Sequence, residues 1–168
     1  IYAAHPDWMQ RRADGAALPM GEARAMCPNS PYRDRIIAVV AEIAGRYPVQ
    51  GMYFDEPSFQ TWCACETCRT RFRAESSHDL PLVPDWSSEL WREFMRWRYE
   101  RVTAFIRDAR AAFKSRRPDA AFWCQHAFPI ASTALPYLRR LFPGVGSARV
   151  PDTAEGWSRT LFYGQNLE

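Results

Sequence analysis

Lysine is almost absent from this chain: Lys114 is its only one, and arginine supplies every other basic residue. The arginines alternate with acids instead of gathering into a stripe, and the net charge is only +3. Successive phosphates need clustered cations, so the scatter argues against a nucleic-acid footprint. No apolar run approaches the ~18 residues that cross a bilayer, and the opening IYAAHPDW has neither the basic nor the apolar region of a signal peptide. The expected location is therefore cytoplasmic, with no membrane partner. Neither G-x-G-x-x-G nor G-x-x-x-x-G-K-[ST] occurs, which removes support for a nucleotide site and implies no organic cofactor. Internal repeats and low-complexity segments are also missing. So is an initiator Met: IYAA reads as the end of a strand cut from something larger, YGQNLE closes without a helix-ending signal, and a fragment is expected.

What is present is globular. Of the 168 residues, 47% are apolar and 24% charged, the balance of one ordinary folded domain over 1–168. Residues 31–47 place Ile36, Ile37, Val40, Ile43 and Ala44 at helical spacing, behind Ser30 as N-cap and Pro31 at the first helical position. Pro48 ends that helix. QGMYF at 50–54 then reads as a buried parallel strand. Residues 85–114 predict a longer amphipathic helix carrying Trp91, Phe94, Trp97, Val102 and Phe113 toward a core. AAFWCQHAF at 120–128 reads as a second buried strand, a shorter helix follows at 134–142, and a third strand begins near 147–150. Strand, loop, helix, strand is the order of an α/β fold. A doubly wound sheet and an eight-stranded barrel both show it, and both set their chemistry at the carboxyl ends of the strands.

Acids and histidines fall just after these strands. Asp55 and Glu56 end the first, and a carboxylate desolvated at such a rim shifts toward the range useful for acid catalysis. Sequence neighbours seldom face each other across a scissile bond, so one of the pair is read as catalytic and the other as orienting or sugar-binding. Glu155, in VPDTAEGW, is a candidate second carboxylate. His5 and His126 stand at strand ends, as do Trp8, Tyr53 and Trp157, whose rings could stack on sugar faces. His78 reads as surface.

Five cysteines are an odd number, and Cys63, Cys65 and Cys68 in C-x-C-x-x-C lie too close for a disulfide framework. Their separations let thiolates converge from one tight loop on a single zinc ion. Cys27 in MCPNSPYR, after the preceding strand of the same sheet, is the expected fourth ligand, which closes a structural four-thiolate site. The plainer alternative is buried free thiols, since cysteine packs like a small hydrophobe, and Cys124 inside its strand is read that way. A thiol-redox site is disfavoured, because no C-x-x-C at a helix start in a thioredoxin-like order is seen.

HPDWMQRRADG, MCPNSPYRDRIIAVVAEIA, GMYFDEP and CACETCRTRF together resemble carbohydrate-active α/β barrels. The segment resembles hypothetical glycosyl hydrolase family six, of the α-L-fucosidase type, and its thiols are similar to those of family 42 β-galactosidases, where two such segments jointly hold zinc. The resemblance covers about residues 1–72 and implies a partial (β/α)8 TIM barrel, about strands three to six, that hydrolyses O-glycosidic bonds of a carbohydrate. In the family 42 pattern Glu56 is the acid/base, but Asp55 replaces its Asn neighbour; in the fucosidase pattern Asp55 is the nucleophile. The second assignment is favoured. Four strands cannot close a barrel, so the missing remainder or a second copy of the chain is the expected partner. The competing reading is a carbohydrate- or protein-binding module held by zinc without turnover.

Overall fold

A computed structural model describes residues 1–55, 57–59 and 62–125. The expected helix at 134–142, the strand near 147–150, Glu56, His126, Glu155 and Trp157 lie outside the described residues. The opening departs from expectation. The Ala4 and His5 amides both donate to the Ile1 carbonyl, closing a turn that an extended strand cannot make, and a 3-10 turn follows over Pro6–Trp8. Two short antiparallel strands, β1 (Pro19–Met20) and β2 (Ala23–Arg24), then form an exposed hairpin. Gly21 stands at its tip with φ +57°, a left-handed conformation in which a Cβ is strained.

Helix α1 (Tyr32–Arg46) begins where the sequence indicates. Pro31 already has helical angles, and the Ser30 hydroxyl accepts from the Tyr32 amide at 3.3 Å while the Ser30 carbonyl accepts from Arg33. Strand β3 (Gly51–Asp55) follows it. Helix α2 (Glu66–Ser76) is an addition, since its segment reads as loop in the sequence. Only Cys68 and Phe72 of its eleven residues are buried, so it carries too little apolar periodicity to announce itself. It stops at Ser77, whose φ of 64° lets its amide reach back to the Arg73 carbonyl. The long α3 (Glu89–Lys114) starts four residues later than expected because Ser88 caps it, accepting from the Trp91 amide, while Asp85 holds Ser87 in the turn before it.

Strand β4 (Ala121–Gln125) lies parallel to β3, Gly51 opposite Ala121 and Asp55 opposite Gln125. Side chains alternate across this pair. Phe54 meets Phe105 of α3 edge-on at 5.3 Å and Phe122 meets Phe113 at 5.7 Å, so one face is sealed by α3, which also packs on α1. The opposite face carries Tyr53 and Trp123, 46% and 47% exposed. Parallel strands are ordinarily covered on both faces.

Aromatic rings make most of the core between α2 and α3. Phe72 lies edge-on to Phe94 and Trp97, and Trp91 to Trp62, at 5.2–5.5 Å between centroids. Burying each such ring contributes about 1.5–3 kcal/mol. Trp91, Phe94 and Trp97 are thus core, as their helical spacing indicates. Cys124 packs against the same core.

Candidate metal centre and acidic strand end

The segment 8–11 organises both candidate sites. Trp8 accepts from the Cys27 amide at 2.7 Å, and Arg11 accepts from the Ala64 amide at 2.7 Å. Between them the buried Gln10 amide group donates to the carbonyls of Met26, at 3.0 Å, and Ser58, at 3.2 Å. One short strip therefore ties the Cys27 loop to the loop leaving β3 and to the C-x-C motif. Gln10 carried no signal in the sequence, because its partners lie 16 and 48 residues away.

The ligand atoms of Cys27, Cys63, Cys65 and Cys68 all lie within 4.8 Å of one another, and all four residues are buried. Cys27 Sγ and Cys68 Sγ are 3.5 Å apart. Zinc–sulfur bonds of about 2.3 Å in a tetrahedron put the sulfurs about 3.8 Å apart, so the donor set fits one such ion closely. Two details of the expected site change. The three clustered thiols do not share one tight loop, since Cys65 caps α2 and Cys68 stands in its first turn. Cys27 follows the exposed β1–β2 hairpin and not a strand of the parallel sheet. A C-x-x-C pair does therefore open a helix, although two further thiols, and not a redox partner alone, crowd it. Burial pushes the Cys27 thiol well up, whereas hydrogen bonds from Cys27, Cys63 and Cys68 hold Cys65 down. Four sulfurs this close carry mutually repelling charge when deprotonated, and a divalent cation would offset it.

Asp55 ends β3 on the same face as Tyr53 and is exposed. The desolvated rim expected for it is thus not formed by the described residues. It borders a cleft of about 160 Å³ shared with Gln10, Tyr32, Phe54, Ser58 and Phe105. His5 and Trp8 come together, but on each other: their rings stack at 3.7 Å and 5°, which occupies one face of each. Tyr53 is approached by Trp123 at 6.1 Å across the β3–β4 register. His78 is exposed and faces the Glu93 carboxylate at 3.2 Å.

The described residues thus set two parallel strands, the first ending in a carboxylate, with helices on one face and a buried thiol cluster beside them. The fold is similar to that of α-L-fucosidase isoenzyme 2 from Paenibacillus thiaminolyticus, with a TM-score of 0.59 and 18% identity over 87% of this chain and 20% of that one. It is also similar to a β-galactosidase from Bacillus circulans sp. alkalophilus, with a TM-score of 0.58 and 19% identity over 76% of this chain and 25% of that one. The chain thus spans a fifth to a quarter of the length of these structures. Residues 1–117 match glycosyl hydrolase family 42, described as β-galactosidase, and the chain belongs to that family. No curated protein sequence matches it. None of the described helices is long and apolar enough to cross a membrane.

Proposed function

We propose that this chain supplies the middle of a glycosidase barrel, about strands three to six, and that the protein hydrolyses O-glycosidic bonds of a carbohydrate. The observation that carries the reading is the joining of two sites by one strip: Gln10 ties the exit loop of β3, and with it Asp55, to the segment leading into Cys27. The open face of Tyr53 and Trp123 supports it, because a closed barrel turns that face inward and its helix-packed face outward. Kinship to hypothetical glycosyl hydrolase family six belongs to this proposal as well.

Cys27, Cys63, Cys65 and Cys68 would hold zinc as a closed site. Zinc with four thiolates contributes folding energy and no open position for water, so its part is structural. The carboxylates would do the chemistry. Asp55, as nucleophile, would face a second carboxylate, Glu155 or one further along the protein, across the bound sugar; Glu56 would then orient Asp55 or hold a sugar hydroxyl. A carboxyl separation of about 5–5.5 Å would give retention of configuration, and about 6.5–9.5 Å inversion. Tyr53 and Trp157 would offer ring faces to the sugar, His5 and Trp8 the faces left free by their mutual stack, and His126 a hydrogen bond to a hydroxyl.

The test is hydrolysis by the full-length protein of chromogenic galactosides and fucosides, beside Asp55→Asn and Glu56→Gln variants. Loss of turnover in Asp55→Asn with retained sugar binding supports the assignment. Sugar binding without turnover in the parent protein favours the binding-module reading instead.

A further inference from the structure

Resting on the metal-centre reading above, we propose that Asn29 and Arg98 are positioning residues for the four-thiolate centre, compensating its charge from the protein side. Asn29 is 7% exposed and addresses two sulfurs on two different segments. Its amide N–H donates to Cys27 Sγ and its Nδ2 to Cys68 Sγ, each at 3.4 Å. It therefore spans the gap between the loop before α1 and the first turn of α2, the two pieces the metal must join.

Arg98 approaches from α3. It is 3% exposed, and its guanidinium lies 4.8 Å from the ring centroid of Trp62, 5.0 Å from Phe59 and 5.8 Å from Phe94. Trp62 directly precedes Cys63, so the ring on which the cation stacks belongs to the residue next to a ligand. Burial opposes its charge, and Tyr99 favours it most, ahead of Cys63, Cys68 and Cys27. The chemistry is complementary. Four thiolates around a divalent ion leave a net charge of about −2 in a buried site, where such charge is costly. N–H donors on sulfur and a guanidinium nearby spread that charge without entering the coordination sphere. The two residues would then set how tightly the ion is held and how much electron density the sulfurs give it.

The experiment uses the full-length protein with zinc in competition with a chromophoric chelator, and with cobalt(II) as a spectroscopic substitute. Asn29→Asp keeps the side-chain shape but turns an N–H donor into a charged acceptor; Arg98→Met removes the cation and Arg98→Lys keeps it. We expect Asn29→Asp and Arg98→Met each to weaken zinc binding about 10- to 100-fold, Arg98→Lys to stay close to the parent, and the sulfur-to-cobalt charge-transfer band to move in Asn29→Asp. Parent-like affinity and an unmoved band in Asn29→Asp, or a loss in Arg98→Lys as deep as in Arg98→Met, would overturn the proposal. If Arg98→Met does not fold, Asn29→Asp and the comparison of Arg98→Lys with the parent decide it. A parent protein that takes up neither metal overturns the metal-centre reading itself, whereas a metal-loaded parent with indifferent variants overturns only this inference.

Discussion

The Arg117 guanidinium reaches back 73 residues to the last turn of α1, donating from Nε to the Ala44 carbonyl at 2.9 Å and from Nη2 to the Tyr47 carbonyl at 2.7 Å. The final carbonyls of a helix have no partners within it, so Arg117 both caps α1 and fastens it to the turn between α3 and β4. Arg117→Ala is expected to lower stability by about 1–2 kcal/mol in urea denaturation. Arg117→Lys should recover little of that, because one ammonium cannot serve both carbonyls in a fixed fork.

Metal content is the first property to measure. One divalent ion per chain is expected by mass spectrometry, lost in Cys27→Ser and in Cys68→Ser. Because Cys65 and Cys68 open α2, removing the ion with a chelator should raise amide exchange first at residues 63–69, well before the α3 core opens. A metal-free parent protein with the same exchange pattern would refute the staple.

Asp55 is exposed at the end of its strand, so replacing it costs little in folding. Asp55→Asn should change stability by less than about 0.5 kcal/mol while lowering glycoside turnover by about 100-fold or more. Equal losses of stability and turnover would point to a structural carboxylate.

Gly51 is required by its neighbours on β4. A Cβ built there would stand 2.9 Å from Trp123 Cζ3 and 3.1 Å from the Ala121 carbonyl oxygen. Gly51→Ala is expected to destabilise by about 1–3 kcal/mol through overpacking. Adding Trp123→Ala should relieve only part of this, since the Ala121 carbonyl belongs to the backbone and stays. Thermal melts of the single and double variants measure that coupling.

Much of the scaffold was legible in the residues because it is local. Ser30 and Pro31 mark where α1 begins, Ile36, Ile37, Val40 and Ala44 give it a helical period, and the run QGMYF at 50–54 between breakers has the composition of a strand, observed one residue later at Gly51–Asp55. Helix α2 was not legible. Its polar length is stabilised from outside, by Phe72 under Phe94 and Trp97 and by Glu75 accepting from Trp97 Nε1 at 2.6 Å, and no window of the sequence contains those partners. The opening departs for the opposite reason: the apolar run IYAA has the composition of a strand end, and backbone hydrogen bonds close it into a turn instead.

The sequence by itself determined which atoms are available: three thiols at C-x-C-x-x-C spacing, a fourth at Cys27, and an acid at the end of a short apolar run. Spacing of that kind limits what the residues can bind, because ligand chemistry belongs to the side chain and its nearest neighbours. Only the tertiary structure decided that Cys27 meets Cys68 at 3.5 Å, that Gln10 bridges two loops, and that Asn29 donates to the sulfurs of Cys27 and Cys68. Those contacts join residues tens of positions apart, and the packing of α2 and α3 that brings them together is a property of the whole core, with no local pattern to announce it.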